Sequence, residues 1–255
     1  MLKKNNRLIE QKLNLLFKDL KIFKNDNLII HSNISGLLQF GNLYDKELLN
    51  FFFNYLKKKL GKNSTLIIPV YNYDFPKLKF VNLDLINSHL GIFGNFVLKD
   101  NKLNRTPNAI FSHLIFGNKK KLFFHSDHNK AFGKETVFEL MHKYNFKILN
   151  FCCAPDTITF IHHIEEILEV DYRYVKKFEG KIKFRGKEKK LSYNYCVGKK
   201  KIDYKLKNNK ILRLLNKKDF IQKEFGRFYC YISSTKYLMK SIKNKIALDK
   251  NFLIK

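Results

Sequence analysis

The sequence predicts an α/β fold with a central mixed sheet and helices on both of its faces. Short, mainly apolar runs of strand length stand at residues 28–30, 66–70 and 148–153. Between these runs lie longer segments in which apolar residues recur at every third or fourth position. Buried strands that alternate with amphipathic helices are typical of sheets that contain parallel strands.

The helices are predicted from the three- and four-residue spacing of apolar side chains. The first reads RLIEQKLNLLFKDLKI from Arg7, and Gly61 marks the end of the second. Gly91 and Gly94 lie within a shorter one. The predicted helices cover residues 7–22, 46–60, 90–98, 134–144, 157–168, 211–225 and 236–246.

The strands are predicted from the short apolar runs, while residues 74–87 have no regular pattern. Beyond Val170 the sequence changes, and Lys-rich alternation over 174–196 predicts an exposed antiparallel hairpin region. We expect one domain, 1–255, with its core at about 28–173 and an α+β C-terminal elaboration at about 174–255. The predicted strands cover 27–31, 65–69, 110–116 and 147–153, and 228–232 separates the last two helices.

The chain is strongly basic, with 50 Lys and Arg residues against 22 Asp and Glu and a formal net charge of +28. Such a charge suggests nucleic acid or another anionic partner. Only six of the 50 are arginine, however, and Lys, Asn, Ile and Phe are the residues that an AT-rich genome favours. Base and phosphate recognition relies on arginine forks. We therefore do not expect a nucleic-acid partner, while an anionic cofactor remains compatible with the charge.

The apolar runs are all too short to cross a membrane, and the first ten residues have no apolar signal-peptide core. We expect a soluble, cytoplasmic protein with no membrane partner. The four cysteines include no C-x-x-C pair, so neither a zinc ribbon nor a redox dithiol is predicted. We expect them to be reduced.

The densest group of reactive side chains is DTITFIHHIEE at residues 156–166. On a helix, His162 and Glu165 lie three positions apart on one face, and Glu166 is also adjacent to His162. A carboxylate beside an imidazole fixes its tautomer and raises its basicity, which suits a general base near neutral pH. The alternative is an exposed polar face. His162 and His163 point about 100° apart on a helix, so they do not form a metal pair.

Three further segments could bind a ligand. A buried strand runs into His31-Ser32-Asn33-Ile34-Ser35-Gly36, where backbone N–H groups of a small-residue turn could approach an anion. RTPNAIFS, at 105–112, has one of the six arginines, which could meet a ligand or an internal carboxylate. DHNKAFGKET, at 127–136, is a turn before a helix. An ordinary structural role is open for each.

In order along the chain, six segments resemble the aminoglycoside 3-N-acetyltransferase family, also called the antibiotic N-acetyltransferase family. LIIHSNISGL is similar to V-H-S-S-L-S-x-L, and STLIIPVYNYDF is similar to G-T-L-x-M-P-T-F. SHLGIFGNF resembles S-x-M-G-x-L, and RTPNAIFS resembles R-S-x-x-P-x-x-S. HNKAFGKETVFELM resembles Y-A-F-G-x-x-S-P-x-x-x-L, and TFIHHIEE resembles T-x-L-H-x-x-E. The matched positions are His31, Ser32, Ser35, Thr65, Leu66, Pro69, Ser88, Gly91, Arg105, Ser112, Ala131, Phe132, Gly133, Thr159, His162 and Glu165.

The resemblance implies an acetyl-CoA-dependent N-acetyltransferase whose α/β fold is unlike the common GNAT fold. We expect no catalytic metal, because the His and Cys spacings provide no ligand set. His162 would be the general base and Glu165 the residue that orients it. Tyr71, Asp127 and Glu166 are the candidate contacts for the acceptor amine. The residues implied for CoA binding are His31, Ser32, Asn33, Ser35, Gly36, Arg105, Thr106, Pro107 and Ser112.

The sequence departs from the family pattern at three places. Ala109 stands where the family usually has Pro, Asn108 where it has His or Asp, and Ala154-Pro155 where it has a Gly-rich turn. The acceptor is expected to be a small-molecule amine, either an aminoglycoside or an amino sugar. A net charge of +28 favours an amino sugar, either free or carried on an anionic nucleotide, over a clinical aminoglycoside. A homodimer, a non-catalytic CoA- or sugar-binding accessory protein and, less favoured, a nucleic-acid-binding protein remain open.

Overall fold

The structure is a computed structural model of the chain, and it describes residues 2–40 and 46–254. Single 3-10 turns lie at Lys102–Asn104 and Pro155–Thr157. The helices are α1 (Leu2–Asp19), α2 (Ser35–Leu38), α3 (Lys46–Leu60), α4 (Phe75–Leu78), α5 (Ile92–Asp100), α6 (Lys120–Phe124), α7 (Val137–Lys143), α8 (Phe160–Ile167), α9 (Asn208–Leu212) and α10 (Thr235–Leu248). The strands are β1 (Leu28–Ser32), β2 (Thr65–Pro69), β3 (Phe80–Asn82), β4 (His113–Gly117), β5 (Lys147–Phe151), β6 (Arg173–Phe184), β7 (Lys187–Gly198), β8 (Phe220–Phe225) and β9 (Phe228–Ser234).

Six of these strands form a central sheet in the order β4-β2-β1-β5-β9-β8. The middle three are parallel, since β1 pairs in parallel with both β2 and β5. The outer strands β4, β9 and β8 run antiparallel to their neighbours. A smaller sheet has the order β3-β6-β7. The predicted mixed central sheet is therefore confirmed.

Two hydrophobic cores lie on opposite faces of the central sheet, because strand side chains alternate between the faces. Leu28 and Ile30 of β1 belong to one core, and Ile29 belongs to the other. The first core also contains apolar residues of α1, α3 and α5. The second contains residues of α7, α8 and α10 together with the β6–β7 hairpin. Helices thus cover both faces, as predicted.

Local sequence patterns located most of the longer elements, while the short helices α2 and α6 and the segments described next differ from the prediction. Residues 74–87 contain α4 and β3, and the strand predicted from 110 begins at His113. The helix predicted over 211–225 is wrong, because that stretch ends in β8, which is paired with β9. Its apolar residues Phe220, Ile221 and Phe225 are buried against the sheet, so strand pairing prevails over helical spacing.

The last third of the chain extends the central sheet. Strand β9 pairs with β5 along Lys147–Ser234 to Asn150–Tyr231, and β8 forms the sheet's edge beyond it. The predicted hairpin at 174–196 is present as β6 and β7. Among the described residues, no helix has the length and apolar character needed to cross a membrane.

Candidate active site

The candidate site lies where parallel strands end. Ser32 at the end of β1 is in register with Phe151 at the end of β5, so the segments that follow both strands start side by side. The chain leaves β5 through Cys152, which has a positive φ of 56°, and passes through a 3-10 turn into α8. Ligand sites in open α/β sheets gather at such carboxyl ends.

Helix α8 brings together the two residues for which catalysis was predicted. His162 Nδ1 lies 2.6 Å from Glu165 Oε2, one helical turn away. The Glu165 side chain is fully buried, while the His162 side chain keeps 26% exposure. A neutral imidazole that donates its Nδ1 proton to the carboxylate carries its lone pair on Nε2. The pair is therefore arranged so that Nε2 can accept a proton.

Glu165 has two further partners that the sequence reasoning missed. The Tyr172 hydroxyl donates a hydrogen bond of 2.9 Å to Glu165 Oε1. Arg173 Nε lies 2.7 Å from Glu165 Oε2 in a nearly buried ion pair. Both residues follow α8 directly, at the start of β6. The rarity of arginine in this Lys-rich chain was the signal that could have identified Arg173.

His163 faces away from this pair, as the helical geometry predicted. Its side chain is buried, and Nδ1 accepts a 3.2 Å hydrogen bond from the Gly133 amide. Burial lowers the pKa of His163 to about 3, so the ring is neutral at physiological pH. The Phe132 ring packs beside His162, with the ring centroids 5.9 Å apart. The 127–136 segment thus supports α8 from one side.

His31 and Ser32 line a cavity of about 160 Å³ at the ends of β1 and β2. Cys153 and Thr157, from the turn after β5, line its other side. Burial lowers the pKa of His31 to about 4, so its ring is neutral here. The cavity therefore combines apolar walls with a hydroxyl, an imidazole and a thiol.

The turn after β1 uses three of its amides within the protein, and the predicted contact of residues 33–36 with an anion stays a prediction. The Asn33 amide donates to the Phe151 carbonyl, and the Ser35 amide donates to Asn33 Oδ1 at 3.0 Å. The Gly36 amide donates to the Asn33 carbonyl. A Cβ at Gly36 would lie 2.1 Å from the sulfur of Cys152, so glycine is needed here for close packing.

The Arg105 side chain lies inside the protein, and its predicted contact with CoA stays a prediction. It has no exposed surface and donates to Ser112 Oγ and to the carbonyls of Leu83, Leu85 and Val70. Desolvation lowers the pKa of Arg105 to about 10, and the guanidinium stays charged at neutral pH. It ties the loop after β2 to the segment before β4 because its planar donors reach several carbonyls at once.

The residues around Arg105 are equally enclosed. Thr106 and Ser112 are buried, with Thr106 Oγ1 accepting from the His113 amide and Ser112 Oγ donating to the Val70 carbonyl. Pro107 is half-buried. Tyr71, expected at the acceptor site, is fully buried, and its hydroxyl meets His113 Nε2 at 3.1 Å. The polar groups of Thr106, Ser112 and Tyr71 therefore have their partners within the protein.

The two other residues expected to bind the acceptor have different surroundings. Asp127 is paired with Lys130 at 3.2 Å and accepts from the Asn129 amide. Glu166 packs against Gly133, where a Cβ would lie 2.6 Å from its Oε1. Burial raises the pKa of Glu166, and the nearby Lys130 opposes that shift. With Glu165 and Glu169, Glu166 lines a cavity of about 170 Å³ beside β6.

In the part of the chain that the structure describes, no group of three or more His, Cys, Asp and Glu side chains is arranged to hold a metal ion. All four cysteines are free thiols. The Cys152 and Cys230 sulfurs lie 3.6 Å apart in the interior. Cys153 is partly exposed, and burial raises its pKa to about 11.

Solved structures with a similar architecture include aminoglycoside acetyltransferases and a Bacillus subtilis protein. Aminoglycoside acetyltransferase AAC(3)-IVa is 14% identical, with a TM-score of 0.69 over 98% of this chain and 91% of that one. AAC-IIIb, solved with CoASH, is 13% identical, with a TM-score of 0.71 over 94% and 96%. YokD from Bacillus subtilis is 12% identical, with a TM-score of 0.70 over 94% and 99%. No curated protein sequence matches the chain.

The sequence comparison identifies the family independently of these structures. The model of the aminoglycoside 3-N-acetyltransferase family matches residues 29–246, which is most of the chain and includes α8 and both sheets. The order of the six motifs and the architecture agree with that match. This protein belongs to the aminoglycoside 3-N-acetyltransferase family.

Proposed function

We propose that the protein transfers the acetyl group of acetyl-CoA directly to an amine of an aminoglycoside or amino sugar, with His162 as general base. The observation that carries this proposal is the 2.6 Å contact between His162 Nδ1 and the buried Glu165 carboxylate. It holds a partly exposed imidazole with Nε2 as the proton acceptor. An acyltransfer to an amine needs such a base because the ammonium form cannot attack.

His162 takes one proton from the acceptor ammonium, and the neutral nitrogen then bonds to the acetyl carbonyl carbon and releases its surplus proton to solvent. The carbon–sulfur bond breaks, and the sulfur leaves as a thiolate that receives the proton from the His162 imidazolium. Holding both substrates in one cleft supplies much of the acceleration through proximity. No covalent enzyme intermediate is needed, and the raised pKa of Cys153 does not favour a cysteine nucleophile.

The cavity beside His31 and Ser32 is the proposed location of the acetyl-thioester end of CoA. It opens at the carboxyl ends of β1 and β2, and its wall includes Thr157, in the 3-10 turn that leads into α8. Family membership and the AAC-IIIb complex with CoASH support a CoA-binding role. Arg105, Thr106 and Ser112 act here by shaping the wall, since their polar groups are used within the protein.

The carboxylates of Glu166 and Glu169 are the proposed surroundings of the acceptor's cationic groups, since Glu165 is engaged by His162, Tyr172 and Arg173. They line one cavity in a chain that is otherwise basic. AAC-VIa has been solved with sisomicin and an AAC(3)-IVa variant with a gentamicin, which supports a polyamine acceptor in this family. This local charge favours a free amino sugar or aminoglycoside over the nucleotide-linked sugar that the net charge suggested.

A direct test combines turnover with a binding readout that does not require turnover. Acetyl-CoA is incubated with a panel of aminoglycosides, amino sugars and nucleotide amino sugars, and CoA release is followed with a thiol reagent. Separately, the rate of Cys153 alkylation is measured with and without CoA, using a Cys153→Ser variant to identify the signal. We expect turnover with a cationic amine and protection of Cys153 by CoA.

The outcomes separate the alternatives. Protection of Cys153 without turnover on any amine would indicate the non-catalytic CoA-binding protein. Turnover without protection of Cys153 would indicate that the thioester binds outside the cavity at the ends of β1 and β2. Neither turnover nor protection at millimolar CoA would overturn the proposed function.

A further inference from the structure

We propose that Arg173 is a positioning residue that sets the pH at which His162 becomes a free base, and that the Tyr204 ring holds it in place. The inference rests on the proposed function of His162 as general base. It concerns a contact outside the histidine–glutamate pair, between the first residue of β6 and the segment that follows β7. The Arg173 guanidinium carbon lies 5.5 Å from the centroid of the Tyr204 ring.

His162 and Arg173 both contact the same carboxylate oxygen of Glu165. Oε2 contacts His162 Nδ1 at 2.6 Å and Arg173 Nε at 2.7 Å. The first contact is a hydrogen bond, while the second is an ion pair in which Nε makes no hydrogen bond to any described residue. Arg173 therefore places a positive charge beside the carboxylate. It does not occupy the lone pair of Oε2 that accepts the hydrogen bond from His162.

That division of roles has a chemical consequence. A buried carboxylate beside an imidazole stabilises the protonated ring, and a protonated His162 cannot accept a proton from the amine. A fixed cation against the same oxygen offsets this effect and stabilises the neutral ring. The side chains of Glu165 and Arg173 are 0% and 7% exposed, so solvent screens their charges little. Arg173 thus keeps the base available without weakening its orientation.

The other titratable groups near His162, Glu165 and Arg173 do not take the place of the Arg173 guanidinium. Burial raises the pKa of Tyr172, of Tyr195 and of Cys196, so all three are neutral at pH 7. Glu166 is the remaining acidic neighbour on α8. Lys130, in the 127–136 segment, opposes the rise that burial causes in the pKa of Glu166. The charge balance at Oε2 is therefore set by the contact with Arg173.

The segment after β7 is shaped to hold the guanidinium. The Tyr204 ring packs onto Gly198, where a Cβ would lie 2.1 Å from the ring. Only a glycine at the end of β7 lets the ring come that close. A planar guanidinium can face an aromatic ring while an N–H edge meets a carboxylate, and a lysine ammonium cannot do both. This explains an arginine here in a chain that uses lysine almost everywhere else.

The test compares Arg173→Met and Arg173→Lys with the exposed-site control Arg213→Met. Two readouts are used: the acidic limb of the kcat–pH profile and the pH titration of the His162 imidazole by NMR, assigned with His162→Ala. In Arg173→Met we expect both midpoints to move upward by about one pH unit, since a neighbouring opposite charge is lost. Arg173→Lys should restore part of the change, and Arg213→Met should resemble the wild type.

Variants of Tyr204 keep the test decisive if Arg173→Met fails to fold, and a double variant tests the charge balance. Tyr204→Leu retains the ion pair but removes the ring, and it should move both midpoints upward by a smaller amount, with Tyr204→Phe unchanged. The double variant Arg173→Met with Glu165→Gln removes both charges and should abolish the upward movement. An NMR midpoint that stays in place in folded Arg173→Met or in Tyr204→Leu overturns the inference. An NMR shift in a protein that acetylates no amine would instead disprove the proposed function alone.

Discussion

Replacing His162 with alanine should remove most acetyl transfer and leave the fold intact. Glu165 would retain its hydrogen bond from Tyr172 at 2.9 Å and its ion pair with Arg173 at 2.7 Å, so no buried charge is left alone. The imidazole is 26% exposed, so its loss opens no sealed cavity in the core. The variant therefore tests chemistry separately from folding.

The expected loss follows from the role of the ring. Removing a general base typically lowers the rate by ~10²–10⁴, which corresponds to about 2.7–5.4 kcal/mol of activation free energy. Neither His162 nor Glu165 lines the cavity at the ends of β1 and β2, where the thioester end of CoA is proposed to bind. The Kd of CoA should therefore change by less than about threefold. The acidic limb of the kcat–pH profile should disappear with the ring that produces it.

The assay is CoA release at saturating acetyl-CoA, with CoA affinity measured by calorimetry on the same samples. His163→Asn is the matched control, because asparagine keeps an acceptor for the Gly133 amide that now bonds to Nδ1 at 3.2 Å. We expect His163→Asn to retain turnover within a few-fold. A fully active His162→Ala, or an inactive but folded His163→Asn beside it, would refute the assignment of the base.

Three other changes test the packing around the site. Gly36→Ala should destabilise the protein by ~1–3 kcal/mol in urea unfolding, since its Cβ would meet the Cys152 sulfur, and Cys152→Gly should recover part of the loss. Arg105→Met should cost about 3–5 kcal/mol by stranding buried carbonyls, whereas an unchanged stability with a tenfold weaker CoA affinity would indicate a CoA contact after all. Burial lowers the pKa of His113 and of His163 to about 3, so stability should be complete above the unfolded value of 6.5 and fall as pH decreases toward 3. Linkage gives up to about 2 kcal/mol per histidine at pH 5, and a flat profile of thermal unfolding between pH 7 and 5 would contradict it.

The elements that the sequence predicted well are those specified by local patterns. Helix α3 and strand β2 begin and end at the predicted residues, because their apolar spacing and the Gly61 stop act within a few positions. Strand β8 was mistaken for a helix because its state depends on pairing with β9. That pairing is visible only once β9 has taken its place beside β5.

The same distinction separates the site residues. The His162–Glu165 contact follows from a three-residue spacing on one helix, so the sequence alone predicted it. Arg173 reaches Glu165 only because the turn after α8 places the first residue of β6 beside that helix. Arg105 was expected to face CoA. Like Arg173, it is a rare arginine whose planar guanidinium contacts specific partners. A sequence pattern cannot tell whether such an arginine binds a ligand or satisfies carbonyls in the interior.

The charge of the protein shows why a global quantity is a poor guide to the substrate. The net charge of +28 comes from lysines distributed over the whole chain, and their field decays over a Debye length of ~8 Å at physiological salt. Glu166 and Glu169 line a cavity near the proposed base, where they would act at contact distance on the proposed acceptor. The remote lysines should therefore slow the approach of a cationic amine at low salt, while the local carboxylates determine how tightly it is held. For such an acceptor, added salt should raise the association rate even as it weakens the final contacts.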